Sequence, residues 1–153
     1  MKQLITKFYS AFKNLDADTM VDCYHDDIEF TDPAFGKLRG EHAKNMWRML
    51  CQNAQNFKLE FSEVNAGHEF GSALWEAKYI FSQTGNEVHN KIKAKFEFKD
   101  GLIIKHTDDF NLHTWAKQAL GFKGWLLGNT SFFKNKLNQQ TARLLEKFEQ
   151  KQT

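Results

Sequence analysis

The feature that most restricts how this chain can fold is a change of hydrophobic period near residue 57. Before it, apolar residues recur at three- and four-residue steps. Leu4, Ile5, Phe8, Ala11, Phe12 and Leu15 form the stripe of an amphipathic helix. Beyond it the step is two. Ala73, Trp75, Ala77, Tyr79 and Phe81 fall on one face of a strand, and Asn90, Ile92, Ala94, Phe96 and Phe98 alternate with His89, Lys91, Lys93, Lys95 and Glu97. Residues two apart on a strand share a face, so the second series predicts a half-buried strand with a cationic outer surface. Helices followed by an antiparallel meander predict an α+β domain, its helices laid over one sheet face.

Local signals subdivide that plan. Asp16 reads as the N-cap of a short second helix through Met20, Val21 and Tyr24. Ile28 to Thr31 alternates as a short strand that stops at Asp32-Pro33, where proline removes a backbone donor. Gly36 and Gly40 bracket a loop, and a third helix is predicted from about Glu41 to Gln52. Leu59, Phe61 and Val64 begin the meander, and Thr84-Gly85-Asn86 and Lys99-Asp100-Gly101 are its turns. The last strand places Leu102, Ile104, His106, Asp108 and Phe110 inside and Ile103, Lys105, Thr107 and Asp109 outside. From Leu112 the pattern turns helical again. Trp115 to Leu120 is a helix ended by Gly121, Gly124 to Gly128 reads as an apolar loop, and Phe133, Leu137, Thr141, Leu144, Leu145 and Phe148 mark a final helix. The predicted division is a domain over residues 1–112 and a helical extension over 113–153. Its stripe should pack on the body or a sister chain, with Trp115 to Leu127 nearest any pocket.

Composition excludes several classes of function. Cys23 and Cys51 form no disulfide framework or C-x-x-C pair, so free thiols in a reducing compartment are expected. The N-terminal stretch mixes Lys and Asp into its apolar positions, unlike a signal peptide, and no apolar run approaches the roughly 18 residues of a membrane span. A soluble, cytoplasmic protein is the expectation. Residues 113–153 carry 7 basic and 2 acidic side chains, against 14 basic and 17 acidic in residues 1–112. That acidic body would repel phosphate, so nucleic acid is not an expected partner, and the tail lacks the continuous basic face of a stable membrane anchor. Aromatic residues are 14% of the chain, with fifteen Phe, which implies a large core or a pocket walled by rings.

The order helix, helix, Tyr24-His25-Asp26-Asp27-Ile28-Glu29-Phe30-Thr31-Asp32-Pro33, glycine, helix and four-strand meander resembles the nuclear transport factor 2-like superfamily over about residues 3–112. Within it, the SnoaL-like and ketosteroid-isomerase-like proteins are most similar. The resemblance implies a curved antiparallel sheet wrapped into a cone by helices, an apolar pocket in its mouth, no cofactor, and a homodimer through the outer sheet face. It places Asp32 at the isomerases' general-base position. It also puts Phe8 and Ala94 where those enzymes carry their two oxyanion donors, and losing one such donor typically costs about 10²–10³ in rate. Conventional steroid isomerisation is therefore not expected. Related cyclases and epoxide hydrolases draw a carboxylate from the last strand, which makes Asp108 a second acid/base candidate.

The expected site has Asp32, His106 and Asp108 as catalytic residues, with His106 as polariser, and Trp47, Trp75, Tyr79, Phe96 and Phe110 as substrate-binding lining. Carboxylates among aromatic rings hold their protons more tightly, which suits proton transfer near neutral pH. Plainer roles exist for each: Asp32 can cap a turn, His106 can be a core histidine bonded to Asp108, and the rings can be core. No metal is expected, because His106 and Asp108 offer two ligands without an evident third. The expected function is cofactor-free proton transfer, cyclisation or hydration on a small apolar carbonyl compound. The alternatives are a non-catalytic small-molecule binding module and a protein-interaction module.

Overall fold

A computed structural model describes all of residues 1–153. Helices α1 (Lys2–Lys13) and α2 (Ala17–Asp22) lead into β1 (Tyr24–Asp32) and β2 (Gly36–Arg39). Helix α3 (Glu41–Asn53) precedes the meander β3 (Lys58–Ala66), β4 (Phe70–Ile80), β5 (Glu87–Lys99) and β6 (Leu102–Asp109). Three helices close the chain: α4 (Leu112–Leu120), α5 (Phe122–Leu127) and α6 (Ser131–Gln152). Side-chain caps start three of the helices, with Asp16 accepting from the Thr19 amide, Asn111 from that of Thr114 and Thr130 from that of Phe133.

The six strands form one curved, unclosed sheet in the order β2-β1-β6-β5-β4-β3. All neighbours are antiparallel except β1 and β6, which run parallel. Those two are joined through α3 and four strands, so no hairpin forces them to reverse. Irregularities at Ser62/Asn65 in β3 and at Glu97/Phe98 in β5 bend the ladders. The concave face carries the core, in which Phe8 and Phe12 of α1, Trp47 of α3, Phe30 of β1 and Phe96 of β5 meet. On the convex face Glu76 lies opposite Lys91, Lys93 opposite Asp109, and Glu97 opposite Lys105. Lys91, Lys93 and Lys105 thus have acidic neighbours within their own chain.

Four local expectations change. The segment between Gly36 and Gly40 is a strand rather than a loop. It is too short for periodicity to reveal, and it is held by pairing with β1 and by Lys37 and Arg39 on Glu29. The inner face of β6 also shifts at its start. Phe98 pairs with Ile103 while Glu97 pairs with Lys105, so Ile104 is an extra residue and Ile103, not Leu102 or Ile104, enters the core. Residues Phe122 to Leu127 are helical rather than a loop, because Gly124 lets α5 lie against the backbone of α4. Trp125 and Leu126 are exposed, so α5 does not supply the buried stripe expected of it. Helix α6 does: Thr141, Leu145 and Phe148 are buried against the body.

Candidate active site

Between the concave sheet face and the helices lies a cavity of about 460 Å³. Asp32, Trp47, Trp75, Tyr79, Asp108 and Phe110 all line it, joined by Trp115 of α4 and by Leu137, Thr141 and Leu144 of α6. His106 and Phe96 do not line it. They sit one layer deeper, fully enclosed, because the rings of Phe8, Phe30, Trp47 and Phe96 surround the imidazole. Neither His106, expected as polariser, nor Phe96, expected as lining, borders the cavity in this structure.

Register brings His106 and Asp108 to the same side of β6, opposite Phe96 and Ala94 of β5. From there a buried chain of hydrogen bonds runs inward. Trp47 Nε1 donates to Tyr24 Oη at 2.8 Å, and Tyr24 Oη lies 2.7 Å from His106 Nδ1. His106 Nε2 lies 2.9 Å from Asp108 Oδ1, and Trp75 Nε1 donates to that same oxygen at 3.3 Å. An indole N–H can only donate, so Tyr24 accepts from Trp47 and donates its own O–H to Nδ1. Burial, with the charge of Asp108, holds the Tyr24 phenol well above its usual range, so it keeps that proton. The imidazole then presents Nε2–H to Asp108. Oδ1 of Asp108 thus receives two N–H donors, and its Oδ2 has no partner in the protein.

Asp32 reaches the cavity differently. It ends β1, and its Oδ1 accepts from the amides of Ala34 at 2.9 Å and Phe35 at 2.6 Å. The turn-capping role and the cavity position therefore coexist, and Oδ2 has no protein partner. Enclosure by surrounding protein pushes its carboxyl up to about 7, against the pull of the Phe35 amide and with help from the charge of Asp108. Tyr79 completes the polar set. Its Oη accepts from Trp115 Nε1 at 2.9 Å, and burial holds the phenol above its usual range, so its proton remains available to donate.

The roles of three residues escape the sequence. Tyr24 lies in what reads as the end of a short helix, and no periodic signal ties it to a histidine 82 residues later. In α6, Asn138 donates to the carbonyls of Pro33 and Ala34, and Thr141 Oγ1 donates to that of Ala34, pinning the Asp32 turn. Conversely, Phe8 and Ala94 are buried and neither borders the cavity, while Tyr9 packs on Phe61 and Trp75 with its hydroxyl unbonded.

A curved sheet, wrapping helices and a carboxylate-bearing apolar cavity define a nuclear transport factor 2-like protein. The sequence profile of the SnoaL-like domain matches residues 5–106, and the chain belongs to that family. No curated protein matches it. Among solved structures, an epoxide hydrolase of the LEH-like type from M. tuberculosis superposes with a TM-score of 0.63 at 23% identity, covering 82% of this chain and 89% of that one. An NTF2-like protein from Burkholderia pseudomallei gives a TM-score of 0.66 at 16% identity, covering 77% of this chain and 95% of its own. A candidate polyketide cyclase from Xanthomonas campestris gives 0.62 at 19% identity, with 76% and 93% covered. These likenesses concern the fold.

Proposed function

We propose that this chain is a cofactor-free acid/base catalyst acting on a small apolar carbonyl compound. The observation that carries the reading is the unequal treatment of two carboxyl groups on one apolar cavity. Asp108 is held at Oδ1 by two N–H donors, whereas Asp32 lies enclosed with its carboxyl pushed up to about 7. A carboxyl that keeps its proton more tightly than usual suits the acid, and a second carboxyl with a free oxygen on the same cavity suits the base. Asp108 Oδ2 takes a proton from the carbon beside the carbonyl, and Asp32 Oδ2 gives its proton to the carbonyl oxygen, forming an enol. Returning protons in the opposite sense, to the same or another carbon, completes exchange or isomerisation. Tyr79 supplies a second donor for the oxygen, in a place the isomerase donors do not occupy. His106 acts through Asp108, as a positioning residue.

Incubating the protein with apolar ketones in deuterated water, and following exchange at the α-carbon by NMR, tests this. Exchange that disappears in Asp108→Asn and Asp32→Asn supports it, and an unchanged rate in both variants refutes it. A second reading, a carrier that binds without chemistry, is favoured by Phe8 and Ala94 in place of the isomerase donors. It predicts ligand binding with no exchange above the solvent rate.

A further inference from the structure

Helix α5 buries only one of its own residues, Gly124. Its large side chains point the other way. Phe122 is 72% exposed, Trp125 55% and Leu126 59%. The spacing of these three places them on one helical face, and the Phe122 and Trp125 rings lie 5.7 Å apart. Leu127 and Phe132, just beyond, are exposed as well. Burying such rings is what a helix of this composition ordinarily does, so a helix that leaves them in water contributes little to its own fold.

Yet α5 is held firmly. A Cβ on Gly124 would stand 1.8 Å from the Ala116 carbonyl oxygen, so only glycine permits this approach to α4. A Cβ on Gly128 would stand 2.7 Å from that of Ala116, and His113 Nε2 donates to the Trp125 carbonyl at 2.8 Å. Two glycines and a histidine thus fix a platform whose apolar side faces out.

The charge of the segment itself has one sign. Between Asp109 and Glu146 no acidic residue occurs, whereas Lys117, Lys123, Lys134, Lys136 and Arg143 do, all of them exposed. Lys136 lies over the exposed Phe132 ring at 5.4 Å, so cation and ring occupy the same patch. Exposed Trp and Phe beside lysines, in a segment that carries no carboxylate of its own, complement the boundary between anionic headgroups and acyl chains. No helix of the chain is long and apolar enough to cross a membrane. We propose that α5 and the start of α6 form a peripheral docking surface for anionic bilayers, reversible and salt-sensitive.

The test is co-sedimentation of the full chain with vesicles of phosphatidylcholine alone and of phosphatidylcholine containing roughly a third phosphatidylglycerol. Binding to the anionic vesicles at low salt is expected, with a blue shift of tryptophan emission. The double variant Phe122→Ser/Trp125→Ser should keep its melting temperature, lose the shift and partition at least about tenfold more weakly. Lys123→Glu/Lys134→Glu should weaken binding and flatten its salt dependence. Failure of the wild-type protein to bind anionic vesicles overturns the proposal, as does equal binding by the apolar double variant. Concentration-dependent self-association that the Phe122/Trp125 variant abolishes, without vesicle binding, would assign the face to a second copy instead and overturn it too.

Discussion

Asn138 donates its side-chain amide to the carbonyl of Ala34 at 2.8 Å, bridging α6 to the turn that carries Asp32. The same amide reaches the Pro33 carbonyl at 2.9 Å, and Thr141 adds a third bond to Ala34. The last helix thus holds the turn that follows one of the cavity's acids. Asn138→Leu combined with Thr141→Val should cost about 1 kcal/mol for each bond lost, and weaken ligand binding by loosening the turn. Thermal denaturation and ligand titration together check this. A drop in stability with undiminished affinity would mean the latch serves the fold alone.

Asp32 makes a pH-dependent contribution whose sign is set by its raised carboxyl. In the unfolded chain it loses its proton near pH 4, and in the folded protein near 7. Between those values the folded state binds more protons, so its share of stability is fully present below about pH 4 and is lost as pH rises towards 7. Chemical denaturation of the wild-type protein and Asp32→Asn across that window should show their difference changing in this direction and levelling above it. A difference independent of pH would contradict the raised carboxyl.

Asp108→Asn should abolish α-carbon exchange, by about 10²–10⁴, without unfolding the protein, because an amide oxygen still accepts from His106 and Trp75. Steady-state exchange beside a melting curve separates loss of the base from loss of structure.

Tyr24→Phe should cost about 1–3 kcal/mol, since it leaves Trp47 Nε1 and His106 Nδ1 without their shared partner inside the core. If His106 positions Asp108, the variant should also shift the alkaline or acid limb of the exchange-rate profile. Equilibrium denaturation gives the first outcome, and a pH–rate profile gives the second.

What the sequence determined by itself follows from short-range periodicity. The strands carrying Trp75 and Tyr79, Asn90 to Phe98, and His106 with Asp108 were legible because a two-residue repeat assigns a face directly. The Asp16 cap, the Gly121 stop and the placement of Asp32 at a strand end were legible because each depends on a few adjacent residues. Tertiary structure decided the rest. Whether His106 borders the cavity or lies behind it depends on which rings arrive from α1, β1, α3 and β5, and no local repeat encodes that arrival. The extra residue at Ile104, the parallel pairing of β1 with β6 and the latch from Asn138 to Ala34 arise between segments far apart in the chain. Helix α5 differs again. Its exposed Phe122 and Trp125 have the composition of a buried segment, and only the close approach of Gly124 to α4 turns them outward.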